Sequence, residues 1–171
     1  MITMAPSRSD LGRAGADRGA MQVGIISDTH GLMRPEALAA LAGSDLIIHA
    51  GDVGKPEVLR ALEQVAPTFA VRGNVDTGPW SNLLPEELDV PVGGLRFRVL
   101  HRISDLKIDP AAERIAAVIY GHSHKPAIEW RGDVLLLNPG SAGPRRFKLP
   151  ITVARVSVSG STIKPELLSL M

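Results

Sequence analysis

Apolar residues in this chain come in short runs, and each run stops at a polar cluster. Val23 to Ser27, Asp45 to Ala50 and Thr68 to Val71 are runs of this kind and read as buried strands. Between them the apolar spacing becomes helical. Pro35 to Ala42 places Leu38 and Leu41 on one face, with Pro35 set for a helix start and Gly43 for its end. Pro56 to Val65 does the same with Val58, Leu59 and Leu62. A strand-helix-strand-helix-strand series predicts parallel strands with right-handed crossovers.

The second half changes character. Leu95 to Leu100 alternates like a half-exposed strand, and Pro110 to Ala117 reads as a short helix. Val118 to Tyr120, Val134 to Leu137 and Ile151 to Val158 read as further strands, with a hairpin at Gly132-Asp133. The expected architecture is layered α/β, with helices outside a pair of sheets and a partly antiparallel second half.

Length and composition narrow the function. A chain of 171 residues favours one domain. The net charge of +1 gives no general attraction for polyanions; a nucleic-acid partner would need a local basic patch, and Arg145-Arg146 is the one hint of it. With no cysteine, disulfides and thiolate metal sites are excluded. Any metal must be held by His, Asp, Glu, Asn or backbone groups, which suits Mn, Fe, Zn, Ni or Mg. Residues 1–20 are rich in Ala, Gly, Arg and Ser, lack apolar periodicity and carry no apolar core of a signal peptide. They are expected to be a disordered leader to a domain spanning 21–171. No apolar run is long enough to cross a bilayer. A cytoplasmic protein without a membrane partner is therefore expected.

The polar clusters at the strand ends carry the chemistry. The first strand ends in Ser27-Asp28-Thr29-His30, the second in Gly51-Asp52 and the third in Gly73-Asn74-Val75-Asp76. The strand over Arg96 to Leu100 ends in His101, and Val118 to Tyr120 ends in Gly121-His122-Ser123-His124. Ligands gather at the carboxyl edge of parallel sheets, and carboxylate with imidazole suits borderline divalent metals. Glycines before Asp52, Asn74 and His122 allow close approach of backbone to a crowded site. A bridging carboxylate such as Asp52 can hold two ions, which together activate a water and clamp the oxygens of an in-line displacement. His49, inside a strand, reads as a packed, hydrogen-bonded histidine. Trp80 and Trp130 read as partly buried aromatics rather than stacking platforms.

These motifs resemble those of the calcineurin-like metallophosphoesterase superfamily. Its Asp-x-His is Asp28-Thr29-His30 here, its Gly-Asp is Gly51-Asp52, and its Gly-Asn is Gly73-Asn74. Its strand-end His is His101 and its Gly-His-x-His is Gly121-His122-Ser123-His124. Asn138-Pro139-Gly140-Ser141 resembles a signature of the small single-domain phosphodiesterase branch. The resemblance implies an αββα sandwich of two mixed sheets flanked by helices. It implies one metal on Asp28, His30, Asp52 and His124, and a second on Asp52, Asn74, His101 and His122. Mn is the first expectation, with Fe, Zn, Ni or Co as alternatives.

The implied activity is hydrolysis of a small phosphate ester by a water activated between the two metals, with Asp52 and Asn74 in the catalytic set. Two departures qualify it. Many relatives carry a His after Gly-Asn, where Val75 stands, and the branch follows its strand-end His with Gly-His, where Arg102-Ile103 stands. With no evident protein acid, esters with good leaving groups, such as aryl diesters, are the expected substrates. Arg102 is a candidate phosphate contact in compensation, because a planar guanidinium matches phosphate geometry. Asn74 and Arg145 are the other candidate substrate contacts. Members of the same fold also serve as non-catalytic scaffolds with an altered ligand set; the intact set here favours an enzyme. A nucleic acid is expected only as a small nucleotide, and a homo-oligomer stays open.

Overall fold

The strands and helices of the first half appear as the apolar runs predict: β1 (Met21–Ile26), α1 (Pro35–Leu41), β2 (Leu46–His49), α2 (Pro56–Glu63) and β3 (Thr68–Ala70). The computed structural model describes residues 19–170. The expectation of a disordered leader therefore falls almost wholly outside the described residues. β1 pairs with β2 and β2 with β3, both in parallel.

These runs are continuously apolar because β1 and β2 are covered on both faces. Val23, Ile25, Leu46 and Ile48 point into the core between the two sheets. Ile26 and Ile47 point the other way, into a second core with Ala37 and Leu41 of α1 and Val58, Leu59 and Leu62 of α2. Each such Ile or Leu, fully removed from water, contributes about 1.5–3 kcal/mol.

The second half supplies β4 (Glu87–Val92), β5 (Leu95–Leu100), β6 (Ala117–Ile119), β7 (Ala127–Arg131), β8 (Val134–Asn138), β9 (Thr152–Ser159) and β10 (Thr162–Ser169). The first sheet runs β10-β9-β1-β2-β3 and the second β4-β5-β6-β8-β7. Both are mixed, and β5, β6 and β8 form a second parallel trio. The hairpin at Gly132-Asp133 joins β7 to β8 as expected. β4, β7 and β10 lie at sheet edges. Pro91 in β4 and Pro165 in β10 are tolerated there, where a missing N–H costs no ladder bond.

One expected helix does not form. Pro110 to Ala117 is a series of turns, and Ala117 already belongs to β6. The Asp109 carboxylate accepts the Ala111 N–H at 3.1 Å, and Arg114 adopts a left-handed φ of 58°. Both divert the backbone from helical propagation. The outer face of the second sheet is therefore covered by an irregular strap. Ile103, Leu106 and Ile108 of the strap pack on Leu100, Ile115, Val118, Val134 and Leu136. The helices cover the outer face of the first sheet alone.

Candidate metal centre

The seven residues expected as ligands lie in loops after strands: Asp28 and His30 after β1, Asp52 after β2, Asn74 after β3, His122 and His124 after β6, and His101 immediately after β5. The loops turn unusually sharply. Asp28 (φ 55°), His30 (48°), Asp52 (55°), His122 (73°) and His124 (62°) all sit in the left-handed region. That conformation costs a non-glycine residue about 1–3 kcal/mol and persists only where the surroundings impose it. Asp28 and His30 are thereby brought together with His124, whereas His122 falls outside the group.

Ligand-type atoms fall into two overlapping groups, one of Asp28, His30 and His124 and one of Asp28, Asp52 and His101. His124 Nε2 lies 3.2 Å from His30 Nε2 and 3.3 Å from Asp28 Oδ1. His101 Nε2 lies 3.3 Å from Asp52 Oδ2, and His30 Nε2 lies 3.7 Å from the same oxygen. Donor atoms bound near 2.1 Å around one cation are about 3–3.5 Å apart, so these edges are of the size a shared ion requires.

Two of these buried atoms, Asp28 Oδ1 and His101 Nε2, have no hydrogen-bond partner. His101 Nδ1 donates to the Ala50 carbonyl at 2.8 Å, which leaves the Nε2 lone pair facing the carboxylates of Asp52 and Asp28. Asp28 Oδ2 accepts from Ser27 Oγ at 2.7 Å and from the His122 N–H at 3.1 Å, while the buried Oδ1 has no partner. A buried lone pair aimed at buried carboxylate oxygens needs a positive charge between them. The carbonyl behind His101 is the usual partner of a metal-ligating imidazole. The residues present therefore fit a bound divalent cation.

Electrostatics agree. Burial raises the Asp28 pKa against the opposing effects of Ser27 and the neighbouring histidines. Burial also pushes Asp52 up, but His101, the Val75 N–H and His30 outweigh it and hold the carboxyl at about 2. Asp52 is thus ionised under ordinary conditions. Its Oδ1 accepts the Val75 N–H at 3.0 Å, which leaves Oδ2 for the centre.

Two expected ligands stand farther out. The His122 ring meets that of His101 edge-on, with centroids 5.2 Å apart, and the residue is exposed. Asn74 is exposed and lines a cavity of about 480 Å³ together with His101, Arg102, Arg72 and Lys107. Arg102 is held by Asp105, at 3.2 Å and 3.3 Å. Arg145 is exposed on the segment that follows Ser141.

His49 is the packed histidine the sequence suggests. Its Nδ1 accepts the Gly51 N–H at 3.1 Å, so the proton sits on Nε2, 3.0 Å from Thr29 Oγ1, and burial lowers its pKa to about 3. Thr29 passes its own proton to the Val53 carbonyl at 2.8 Å. This neutral chain ties the Asp28-His30 loop to the Asp52 loop. Trp80 packs against the helix-side core, but Trp130 is 46% exposed on β7 and is not the partly buried aromatic expected.

Sequence reasoning gave no role to Asp76, although it closes the Gly-Asn motif. Its buried carboxylate accepts the N–H groups of Val53 (3.2 Å), Gly54 (2.8 Å) and Gly73 (2.8 Å). It therefore staples the loop of Asp52 to that of Asn74. Asp76→Ala leaves three donors short of an acceptor and is expected to cost about 3 kcal/mol in urea unfolding; a loss below about 1 kcal/mol would mean that water replaces the carboxylate. The Asn138 turn is a second staple. Asn138 Nδ2 donates to the Gly121 carbonyl at 3.1 Å, and Ser141 Oγ to the Asp28 carbonyl at 2.9 Å, so it joins ligand loops of both sheets. The glycine expectation holds in the same places: a Cβ on Gly73 would lie 2.2 Å from Asp52 Oδ1, and one on Gly121 would lie 2.6 Å from Asp28 Oδ2.

Comparison with known proteins places this centre in a family. Residues 21–161 match the calcineurin-like phosphoesterase superfamily domain, and the chain belongs to that family. A probable metallophosphoesterase of Methanocaldococcus jannaschii, MJ0623, is 37% identical over 152 residues, covering 82% of this chain and 77% of that one. Phosphodiesterase YfcE of Escherichia coli K12 is 29% identical over 151 residues, covering 71% of this chain and 79% of the relative. Among solved structures, a novel archaeal phosphodiesterase superposes with a TM-score of 0.72 at 24% identity, covering 86% of this chain and 100% of that one. Vacuolar protein sorting 29 of Cryptosporidium parvum gives 0.71 at 16% identity over 88% of this chain and 97% of that one, a likeness of fold. No helix among the described residues is long and apolar enough to cross a membrane.

Proposed function

We propose that this chain is a phosphodiesterase that holds two divalent cations, Mn first among them, and hydrolyses a small phosphate ester. The observation that carries this reading is the pair of ligand groups sharing Asp28, with buried donor atoms that no protein group satisfies. Asp28, His30, Asp52 and His124 would hold one cation; Asp52, Asn74, His101 and His122 would hold the other. When bound, the cations supply Lewis acidity that activates water and takes up charge on the phosphoryl oxygens.

The chain's own residues do the rest. Ser27 and the His122 N–H orient the Asp28 carboxylate, and the Ala50 carbonyl fixes the His101 tautomer so that Nε2 faces inward. Asn74, which lines the cavity, would meet a phosphoryl oxygen. Arg102 lines the same cavity with its guanidinium held by Asp105, and would stabilise charge on the departing oxygen in place of a protein acid. The fold likeness to Vps29 keeps the scaffold reading in view; the full set of ligand-type residues in the sequence and the orphaned buried atoms favour catalysis.

Metal-stripped protein is expected to lose turnover of bis(p-nitrophenyl) phosphate and to regain it with Mn. Added Mn should also stabilise the fold, by up to about 4 kcal/mol of linkage at a thousand times Kd, and so raise the unfolding temperature. Full activity after chelation, with no metal left by elemental analysis, would sink the proposal. The aryl diester is expected to be cleaved faster than an alkyl diester under the same conditions.

A further inference from the structure

The segment after the Asn138 turn carries Arg145, Arg146, Phe147 and Lys148 in succession. Its root is fixed against the metal centre. The Gly143 backbone packs so closely on the Asp28 and Thr29 carbonyls that a Cβ there would lie 2.5 Å from each oxygen. Arg34 donates to the Gly143 carbonyl at 3.2 Å. Among the described residues, the side chains of Arg145, Arg146 and Lys148 are exposed and make no ion pair.

Phe147 is the anomaly of this segment. It is 94% exposed and adopts a left-handed φ of 52°. A bulky aromatic side chain rarely adopts that conformation, and exposure forfeits the gain from burial. Phe147 thus presents an exposed ring face flanked by the cations Arg145, Arg146 and Lys148, on a segment rooted beside Asp28. Bases stack on such a face whatever their sequence, and cations beside it hold phosphate.

Beyond the centre lies the cavity of about 480 Å³ already described. Its lining is charged or polar apart from Leu100 and the backbone of Gly73. Arg72 is paired with Glu86 and Arg102 with Asp105, while Lys107 makes no ion pair among the described residues. An acyl chain would find only Leu100 as an apolar side chain there. A hydroxylated sugar with its base would find donors and acceptors on every side.

We infer that the centre takes a short dinucleotide bearing a terminal 5′-phosphate, one base stacked on Phe147 and the second nucleoside in the cavity of Asn74, Arg102 and Lys107. This rests on the phosphodiesterase reading above. The terminal phosphate meets Arg145 and Lys148, and the internucleotide phosphate lies on the centre. The reaction is hydrolysis. A water oxygen bonds to phosphorus, the ester P–O bond to the second nucleoside breaks, and one proton of the water ends on the released sugar hydroxyl.

The test compares kcat/KM of the Mn-loaded wild type, Phe147→Ala, Phe147→Trp and Arg145→Ala on three probes. These are 5′-phosphorylated thymidine dinucleotide, the same dinucleotide without the phosphate, and methyl p-nitrophenyl phosphate. The wild type is expected to cleave both dinucleotides and to prefer the phosphorylated one. Phe147→Ala should lower kcat/KM on the dinucleotides about tenfold, mainly through KM, as the loss of one base-stacking contact does. Phe147→Trp should restore it, and Arg145→Ala should erase the preference for the 5′-phosphate. Turnover of methyl p-nitrophenyl phosphate without dinucleotide cleavage overturns the inference and leaves the phosphodiesterase reading standing. So does a Phe147→Ala loss of equal size on every probe. No turnover of any probe by the metal-loaded wild type overturns the phosphodiesterase reading itself.

Discussion

Asp52→Asn is expected to lower diester hydrolysis about a thousandfold, the scale on which removal of one preorganised electrostatic group acts. Asp52 Oδ2 lies 3.7 Å from His30 Nε2 and 3.3 Å from His101 Nε2, so it is the oxygen that two cations would share under the proposal. Asn keeps the shape and can still accept the Val75 N–H through Oδ1. What it removes is the negative charge, which the surroundings of Asp52 keep ionised. The same substitution should lower the number of tightly held Mn ions per chain, and unfolding of the metal-free protein should stay close to wild type. A loss in kcat/KM of less than tenfold with Mn binding unchanged would remove Asp52 from its shared position.

The largest effect on folding is expected at Gly54, which no motif contains. Its φ is +89°, and an added Cβ would lie 2.2 Å from the Gly31 nitrogen and 2.5 Å from the His30 carbonyl carbon. Both obstacles are backbone of the loop that carries His30, so neither can swing aside. Overpacking costs about 1–3 kcal/mol and the forced left-handed conformation a similar amount, so Gly54→Ala should lose about 3–5 kcal/mol in urea unfolding. Gly43→Ala separates the two contributions. Its φ is +83°, but nothing lies within 4 Å of the added Cβ, so it should lose only the conformational part. Equal losses at the two positions would show that the contact with the His30 loop is not tight.

How far the sequence carried the account depends on the range of the interaction. The parallel β1-β2-β3 unit was legible because burial on both faces demands continuous apolar runs, which show in the sequence however the sheets stack. The candidate ligands were legible because each follows such a run; that Asp28, His30 and His124 meet while His122 and Asn74 stand farther out was not. Edge strands β4 and β10 were hidden: they have a solvated face, and both carry proline. The failed helix at Pro110 to Ala117 was decided by one Asx turn and one left-handed arginine, neither of which alters the apolar spacing. Asp76 and Asn138 staple loops through backbone N–H and carbonyl groups, contacts that leave no periodic trace. The polar residue that closes each strand-end cluster was nonetheless a usable signal for Asp76. Phe147 escaped because an aromatic residue in a basic loop looks the same whether it packs inward or stands in water.

The most direct measurement of the central claim is anomalous diffraction from crystals soaked in Mn. Two peaks about 3.5–4 Å apart are expected, the separation found in two-metal hydrolytic sites. One should lie among Asp28, His30 and His124 and the other beside His101, with Asp52 between them. A single peak would contradict the shared role of Asp52. No peak at all, with the imidazoles turned away from the carboxylates, would contradict the metal centre.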